Sequence, residues 1–262
     1  MLKIQTLSSG SAGNITYVGN QNTGILVDVG LPLSLTLKLM GQANIDPHSI
    51  TGLVITHEHS DHIKGVTDFV TQYNVPIYCY KSCAKILRRS LKLPPHYFIE
   101  TENVFQIGDI TVNCFPVPHD SQFCLGYTFH YANASVGITT DVGQMTDVIL
   151  TNLATCQIIV LESNHDIQKL TANPNYPDWL KRRILGNRGH LSNLDCGRAI
   201  AHLHQGCVTQ VILGHLSEKN NTPTLAYQTV KQYLQSQGII EGKDIFIDVA
   251  LQSQIGNVYC LE

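Results

Sequence analysis

The sequence predicts a mixed α/β (α+β) fold in which two β-sheets pack face to face between outer layers of helices, a four-layer αββα sandwich. Short β-rich apolar runs with helices between them fill the first half of the chain, and the same alternation returns in the second half. Hydrophobic residues make up 43% of the 262 residues and charged residues 14%, which is enough apolar material for a large core. No linker-like stretch divides the chain, so we expect one domain over residues 1–262.

The first half opens with apolar runs of the length and pattern typical of strands. We predict strands at residues 2–7, 15–18, 24–30, 51–56 and 75–80. We predict helices at residues 33–43 and 81–92, and a further helix that has Ser60 as its N-cap. A loop rich in His and Asp separates the strand at 51–56 from this third helix.

The second half is β-rich before Asp141 and alternates helices with strands after it. We predict strands at residues 103–107, 109–117, 124–131, 135–140, 157–163, 208–214 and 244–250. A helix is predicted at 146–153, and further helices precede the last strands. The stretch 166–189 is polar and contains Pro174 and Pro177, which predicts a long loop with a short helix. This stretch is a candidate lid over a functional site.

The composition disfavours several classes of protein. No apolar run approaches the roughly 18 residues that a membrane helix requires, and the start of the chain lacks the long apolar region of a signal peptide. The eight cysteines form no CxxC pair, which favours reduced thiols over a disulfide framework. We therefore expect a cytoplasmic protein that does not contact a membrane. The net charge of −3 argues mildly against a nucleic-acid binder, although a local basic patch can supply the attraction.

The segment HEHSDH at residues 57–62 has the donor types and the spacing of a metal site. In extended backbone, residues two apart point to the same side, so His57 and His59 can reach one metal ion. Asp61 and His62 fall at the following turn and point elsewhere, which suits a second ion. Imidazole and carboxylate groups are typical ligands of Zn²⁺, Mn²⁺ or Fe²⁺.

Further ligands are expected from strand ends that lie far along the chain. His119, Asp141 and His215 each follow an apolar, β-rich run, as a site at one edge of a sandwich requires. Together with the segment at 57–62 they supply enough ligands for two metal ions. Asp28 also follows such a run, and we expect it to accept a hydrogen bond from a ligand histidine rather than to bind metal.

These residues, in this order along the chain, resemble the successive motifs of the metallo-β-lactamase superfamily: Asp28, HEHSDH at 57–62, His119, Asp141 and His215. The resemblance covers nearly the whole chain. It implies two divalent metal ions, one bound by His57, His59 and His119, the other by Asp61, His62 and His215, and both bridged by Asp141.

A closer resemblance is to the YycJ/WalJ (VicX) family of bacterial nuclease-like proteins. It rests on LSSGSAGN at 7–14, ESNHD at 162–166, YPDWLKRRILGNRGHLSN at 176–193 and LGHLS at 213–217. It implies 5′→3′ exonuclease activity on DNA. Glu162, His190 and His215 also resemble tRNA 3′-processing endonucleases, but this chain has no recognisable exosite arm. The interval from Asp141 to His190 is too short for the inserted domain of β-CASP nucleases.

The residues suggest a mechanism for cleaving a phosphodiester. Two metal ions lower the pKa of a shared water and clamp the attacking and leaving oxygens. We hypothesise that a metal-bridging hydroxide, oriented by Asp61, attacks phosphorus. His190, kept charged by Glu162, would then protonate the leaving oxygen. Alternatively, His190 binds phosphate passively or caps the helix that follows it.

Candidate substrate contacts lie in the first loop, after the strand at 157–163, and in the predicted lid. They are Ser11, Asn14, His165, Lys181, Arg182, Arg183 and Arg188. A small Gly-rich loop lets backbone N–H groups approach an anion, although a plain turn has the same composition. The basic residues of the lid can neutralise phosphates or can form an ordinary solvated face, and Tyr176 and Trp179 can stack on bases or anchor the lid.

We therefore predict a binuclear Zn²⁺ or Mn²⁺ phosphodiesterase that acts on nucleic acid, DNA rather than RNA. The sequence does not specify its oligomeric state. One alternative is a small-molecule acyl hydrolase of the same fold, acting on a thioester or lactone. A second alternative is a non-catalytic regulatory protein that binds metal, against which the complete set of ligands argues.

Overall fold

The computed structural model describes all 262 residues and contains fourteen strands and nine α-helices. In chain order the strands are β1 (Leu2–Ser8), β2 (Ile15–Gly19), β3 (Gly24–Val27), β4 (Ile50–Val54), β5 (Ile77–Tyr80), β6 (Phe98–Thr101), β7 (Val104–Ile107), β8 (Ile110–Pro116), β9 (Leu125–Tyr131), β10 (Ala134–Thr139), β11 (Ile158–Glu162), β12 (Gln210–Gly214), β13 (Phe246–Val249) and β14 (Tyr259–Leu261). The helices are α1 (Leu33–Gln42), α2 (Ser60–Ile63), α3 (Val66–Tyr73), α4 (Ala84–Leu91), α5 (Asp147–Leu153), α6 (Ile167–Ala172), α7 (Asp178–Ile184), α8 (Asn193–Leu203) and α9 (Pro223–Ser236).

The strands form two seven-stranded sheets, in the orders β14-β1-β2-β3-β4-β5-β6 and β13-β12-β11-β10-β9-β8-β7. Strands β3 to β6 pair in parallel, and so do strands β10 to β13. Because parallel strands all run the same way, their carboxyl ends meet at one edge of each sheet, where ligand sites form in α/β folds. The segments that follow β3, β4, β10, β11 and β12 carry most of the predicted site residues, and His119 follows β8.

Apolar side chains pack between the two sheets and between each sheet and its helices. One buried cluster takes residues from both sheets, among them Ile4, Leu53, Tyr127 and Phe129, and continues beneath α1, α3 and α4. A second cluster fills the space between the outer face of the β7–β13 sheet and helices α5, α8 and α9. The predicted αββα sandwich is therefore confirmed. The prediction of one domain over residues 1–262 stays a prediction, and the shared core between the sheets supports it.

The helices dock through single apolar faces, as their sequence spacing requires. In α9, Ala226, Val230 and Leu234 are buried and follow one another at intervals of four residues, which places them on one stripe of the helix. Each buried leucine or valine of this kind contributes about 1.5–3 kcal/mol relative to exposure. The face that bears these residues is thus fixed against the sheet.

The structure corrects several predicted boundaries. Ser60 is the first helical residue of α2 rather than its N-cap, because His59 keeps an extended conformation and occupies the cap position. Thr146 caps α5 through its side chain instead of lying inside it. The predicted lid at 166–189 contains two short helices, α6 and α7, not one. Strands β6 and β14 were not predicted, and β14 exists because Leu261 pairs with Leu2 at the start of the chain.

All eight cysteines are free, and six of them are buried, as the prediction of reduced thiols requires. Cys207 and Cys260 are the two exposed thiols. The longest helix has 14 residues, and none has the length and apolar character needed to span a bilayer.

Candidate metal centre

The structure brings all seven predicted metal ligands together at the carboxyl edge of the two sheets. They come from the loops after β4, β8, β10 and β12, and they fall into overlapping groups whose donor atoms lie within 4.8 Å of one another. The groups are His57, His59 and His119; His57, His62 and Asp141; Asp61, His62 and His215; and Asp141, Glu162, His190 and His215. The first and third groups are the two ligand sets that the family resemblance implied.

Asp141 lies between the two ligand sets. Its Oδ2 atom is 3.1 Å from His62 Nε2, and its Oδ1 atom is 3.6 Å from His119 Nε2 and 3.5 Å from His215 Nδ1. Asp61 lies beside the second set, with Oδ2 3.5 Å from His62 Nε2 and 3.6 Å from His215 Nε2. Asp141 is thus the one carboxylate within reach of both sets.

Four of the ligand histidines are oriented by a hydrogen bond at the ring nitrogen Nδ1. His57 Nδ1 is 3.0 Å from Thr56 Oγ1, and His119 Nδ1 is 3.1 Å from the carbonyl oxygen of Gly189. His62 Nδ1 is 2.7 Å from Asp28 Oδ2, and His215 Nδ1 is 2.7 Å from Glu162 Oε1. Partners of this kind fix the ring and leave Nε2 as the nitrogen that faces a metal ion.

The donor atoms that face the centre fit metal ions. The Nε2 atoms of His57, His119 and His215 are buried and have no hydrogen-bond partner within the protein. A buried polar atom without a partner costs about 1–3 kcal/mol, so these three nitrogens favour bound ions as partners, with His57 and His119 in one ligand set and His215 in the other. Asp141 Oδ2 also accepts no hydrogen bond despite its nearness to His62. Imidazole nitrogen and carboxylate oxygen are the donors that Zn²⁺ and Mn²⁺ accept.

The backbone at this edge is held in conformations that favour the site over local stability. Asp28, Asp141 and His215 each follow a strand and have positive φ angles of 61°, 57° and 54°. A left-handed conformation in a residue other than glycine costs on the order of 1 kcal/mol and is concentrated at functional sites. Gly30 packs so closely that a Cβ atom there would lie 1.7 Å from the carbonyl oxygen of Asp61. The metal loop is therefore seated directly on the loop after β3.

Asp28 has the supporting role that the sequence predicted. Its Oδ1 accepts a hydrogen bond from the backbone N–H of Thr56, and its Oδ2 accepts one from Thr56 Oγ1, each at 2.8 Å. Oδ2 also lies within hydrogen-bond distance of His62 Nδ1, on the side of the ring away from the metal centre. Thr56, which the sequence analysis did not single out, therefore links Asp28 to His57 and His62.

Glu162 is completely buried and holds two histidines instead of one. Its Oε1 atom lies 2.9 Å from His190 Nδ1 and 2.7 Å from His215 Nδ1, while Oε2 accepts the N–H groups of Val142 and Leu191. Burial raises the pKa of the carboxyl, but the charge and hydrogen bonds of the two histidines outweigh it, and the pKa falls to about 2. Glu162 is therefore ionised at neutral pH.

His190 lies at the wall of a cavity above the metal ligands, with 22% of its side chain exposed. Burial lowers its pKa, but the Glu162 carboxylate more than compensates and raises the pKa above its ordinary value. The bond to Glu162 uses Nδ1, so Nε2 is the nitrogen left for a substrate. The predicted pairing of Glu162 with His190 is present in the structure.

The cavity has a volume of about 240 Å³. Its floor is formed by ligands of both sets, and its walls include Ser11, Asp120 and Asn164. Helix α7 and the turn before it cover the cavity with Tyr176 and other side chains, namely Leu180, Arg183 and Ile184. The stretch 166–189 thus occupies the position predicted for a lid.

The predicted substrate-binding residues have different surroundings. Ser11 lines the cavity and is exposed. Asn14 is buried beneath it, with Nδ2 3.1 Å from His62 Nε2 and from the carbonyl oxygen of Gly10, so it packs the first loop against the metal loop. His165 is only 1% exposed and lies outside the cavity lining. Of these three, only Ser11 faces the space where substrate would lie.

Most of the basic residues in the lid have protein partners. Lys181 Nζ donates to the carbonyl oxygen of Thr171, which ties α7 to α6. Arg183 Nε donates to Asp120 Oδ2, and Arg188 Nε donates to the carbonyl oxygen of His119. Arg182 is exposed on α7. Arg183 and Arg188 therefore bind the protein itself at positions where the sequence suggested phosphate contacts.

A buried network of amides joins the segments that carry Glu162, His190 and His215. The side chains of Asn193 and Asn221 pair reciprocally, at 2.8 and 3.0 Å, and Asn221 Nδ2 also reaches the carbonyl oxygens of residues 163 and 164. The Ser163 hydroxyl donates to Asn193 Oδ1 at 2.7 Å. The three segments come from three different loops, so this network fixes their relative positions.

Comparison with known proteins places these features in a family. A family profile described as a beta-lactamase superfamily domain matches residues 23–216. An exodeoxyribonuclease YycJ of Bacillus anthracis is 34% identical over 245 residues, which is 92% of this chain and 92% of the relative. An exodeoxyribonuclease WalJ of Streptococcus pneumoniae serotype 2 is 31% identical over 247 residues, covering 92% of this chain and 91% of that protein.

Solved structures show the same fold at low sequence identity. The metallo-beta-lactamase fold protein YhfI from Bacillus subtilis superimposes with a TM-score of 0.73 at 15% identity, over 98% of each chain. Human tRNase Z, short form, superimposes with a TM-score of 0.63 at 14% identity, over 97% of this chain and 98% of that one. Both likenesses concern the fold alone.

Proposed function

The chain belongs to the metallo-β-lactamase superfamily and, within it, to the YycJ/WalJ family, and from this premise we propose that it is a metal-dependent phosphodiesterase, a 5′→3′ exodeoxyribonuclease. The observation that carries the proposal is the Glu162–His190 pair, which faces the cavity directly above the metal ligands. Such a pair supplies a proton to a leaving oxygen, which hydrolysis of a phosphodiester requires. DNA as the substrate, and the polarity, are supported by the relatives and not by the geometry.

We propose two divalent ions, Zn²⁺ or Mn²⁺, in the two ligand sets. His57, His59 and His119 would hold one, Asp61, His62 and His215 the other, and Asp141 would contact both. When bound, a pair of ions makes a water molecule nucleophilic at neutral pH and stabilises the charge on the attacking and leaving oxygens. The burial of His57, His62 and Asp141 keeps bulk water from competing for these positions.

The residues of the chain orient the reactants and move the proton. Asp61 has a lowered pKa, because the hydrogen bonds and charges of His215 and His62 outweigh its burial, so the carboxylate is ionised and can orient the attacking water. His190 presents Nε2 toward the cavity and donates its proton to the leaving oxygen, while Glu162 stabilises the charged ring. Ser11 and Asn164, both at the cavity wall, offer polar contacts for a phosphate.

The remaining predicted substrate contacts are divided by the structure. We propose that Arg182, exposed on the outside of the lid, attracts phosphates at long range. His165 and Asn14 are buried, and we propose that they support the site instead of touching substrate. Eight free cysteines agree with a reducing compartment, and we propose a cytoplasmic location on that ground.

The test is digestion of a 5′-labelled and a 3′-labelled DNA duplex, with matching RNA, by purified protein with added Mn²⁺ or Zn²⁺. We expect metal-dependent loss of nucleotides from the 5′ end of DNA. Asp61→Ala should abolish the activity, and His190→Ala should lower it by about 10²–10⁴-fold while metal content is retained. If no polymer is cut by a protein that has two metal ions bound, the proposal is wrong, and thioester and lactone substrates become the ones to test.

A further inference from the structure

The cavity above the metal ligands is small and covered. Its volume of about 240 Å³ lies below the roughly 300–1,000 Å³ that is usual for sites of small organic ligands. Tyr176, Leu180 and Ile184 of the lid stand over its floor. A strand must therefore approach the metal ligands past these lid side chains.

Arg183 of the lid lines this cavity, and Arg188 binds the same neighbouring loop as Arg183 does. Arg183 Nε donates to Asp120 Oδ2. Arg188 Nε donates to the carbonyl oxygen of His119 at 2.9 Å, and its Nη2 donates to that of Ser121 at 3.3 Å. We call Arg183, Arg188 and residues 119–121 the arginine wall. It joins the lid to the loop that carries a metal ligand.

The arginine wall has a rigid base on the lid side. The N–H of His190 donates to the carbonyl oxygen of Ile184 at 2.9 Å, which closes the turn between α7 and His190. A Cβ atom at Gly189 would lie 2.1 Å from that same oxygen, and one at Gly143 would lie 2.5 Å from the Cα atom of Arg188. Such close backbone approaches fit only glycine. The segment that presents Arg188 therefore has little freedom to swing aside.

A second groove borders the arginine wall at His119, Ser121 and Arg188. It has a volume of about 600 Å³, and Phe115 and Phe123 are among its apolar lining residues. It shares His119 with the metal cavity and Arg188 with the wall. A strand that continued from the metal cavity into this groove would meet the arginine wall, because the two spaces adjoin at His119.

We infer that the arginine wall restricts cleavage to strand ends, and this inference rests on the nuclease function proposed above. A strand end can enter from the side of Ser11 and His59 and stop at the wall with its terminal phosphodiester over the metal ligands. An internal segment needs both an entrance and an exit, and the wall stands where the exit would be. Arg183 and Arg188 thus determine specificity for ends instead of binding phosphates along the strand.

The first experiment compares a closed circular single-stranded DNA with the same DNA linearised, under one metal condition. We expect the wild-type protein to cut the circle at least about 100-fold more slowly, because an internal phosphodiester cannot reach the geometry of attack. Equal rates on the two DNAs would overturn the inference. Failure to cut the linear strand as well would instead refute the nuclease function, and the inference with it.

The second experiment opens the wall. Arg183→Ala and the double variant Arg183→Ala/Arg188→Ala should raise cleavage of the circle by at least about tenfold while cleavage of the linear strand changes less. Arg182→Ala removes the same charge from the same helix without touching residues 119–121, so it should lower cleavage of the circle and of the linear strand in the same proportion. Metal content is measured in each variant. If the double variant loses metal because Arg188 no longer holds the backbone of His119, the Arg183→Ala variant alone decides the question. An unchanged ratio in a metal-loaded Arg183→Ala protein would contradict the role of the wall.

A binding measurement completes the test. Trp179 is the only tryptophan of the chain and is 60% exposed on α7 of the lid, so its fluorescence can report on strands that bind at the lid. In metal-loaded His190→Ala protein, in which turnover is slow, a linear single-stranded octanucleotide should change this fluorescence at a concentration at least about tenfold lower than its head-to-tail cyclised form. Equal binding of the two forms would count against end selection. With Arg183→Ala added to this protein, the difference between them should shrink.

Discussion

Substituting Glu162 by glutamine tests the core of the proposed mechanism, since one buried carboxylate serves both the metal centre and the proton donor. Oε1 faces the Nδ1 atoms of His190 and His215, and Oε2 accepts the N–H groups of Val142 and Leu191. Glutamine keeps the shape of the side chain but has one accepting oxygen and one donating NH₂ group. Whichever way the amide is turned, its NH₂ group faces two donors.

The magnitude follows from this mismatch. Two buried donors without an acceptor cost about 1–3 kcal/mol each, so the free energy of unfolding should fall by about 2–6 kcal/mol. Loss of the negative charge removes what raises the pKa of His190, and a lost general acid lowers the rate by about 10²–10⁴-fold. Loss of the partner of His215 should weaken metal binding about 10–100-fold, as supporting groups of ligand histidines do.

The assay is kcat on a 5′-labelled single strand at saturating metal, alongside urea unfolding and metal content. Saturating metal separates the loss of the proton donor from the weaker metal affinity. Glu162→Asp is the matched control, since it keeps the charge and should retain more activity than Glu162→Gln. The double variant Glu162→Gln/His190→Ala should be no slower than His190→Ala, because both changes remove one function. A metal-loaded Glu162→Gln protein with kcat near the wild-type value would refute the reasoning.

Three further predictions concern metal, the amide network and the thiols. Removing metal with a chelator should lower Tm, and re-adding Mn²⁺ or Zn²⁺ should restore it. At a metal concentration a thousandfold above Kd, binding raises the free energy of unfolding by about 4 kcal/mol, so an unchanged Tm would speak against the metal centre. Asn221→Ala should destabilise the fold by about 2–4 kcal/mol and lower kcat more than it raises KM, because two loop carbonyls and Asn193 lose their partner. Equal loss in Asn22→Ala, an exposed control, would contradict this. Iodoacetamide should modify Cys207 and Cys260 alone in the native protein and all eight thiols in urea, as measured by mass spectrometry. Burial raises the pKa of the Cys196 thiol, so rapid labelling of Cys196 in the native protein would contradict the structure.

The sequence predicted that the seven candidate metal ligands would meet at one edge, because each of them follows a strand, directly or after a short loop. His119, Asp141 and His215 follow apolar runs, and parallel pairing in the second sheet brings the ends after β10 and β12 to one edge. The spacing inside HEHSDH is enough to assign its first two histidines to one ligand set and its last two residues to the other. These features are local in sequence, and the fold class alone is enough to bring them together.

Local sequence patterns could not predict the partners of the basic lid residues. A run of positive charges in a polar segment has the same sequence whether it meets phosphate or the protein. Arg183 and Arg188 meet residues 119–121, more than 60 positions earlier in the chain, and no local pattern indicates that contact. The sequence identified Glu162 and its partner His190 but not its second partner His215, because the sequence does not show which groups the two carboxylate oxygens face.

The site lowers the stability of the fold in two ways, of which metal binding relieves only one. Asp28, Asp141 and His215 are held in left-handed backbone conformations, and metal binding does nothing to relieve that cost. The Nε2 atoms of His57 and His119 are a different kind of cost, since a bound ion satisfies both of them at once. The core between the sheets must therefore offset the backbone cost in every state, whereas the cost of the unpartnered imidazoles is removed only when metal is present. A protein stripped of metal should accordingly loosen first at the loops after β4, β8 and β12, with the sheets intact, and hydrogen exchange of those loops would be faster than in the loaded protein while the strands exchange alike.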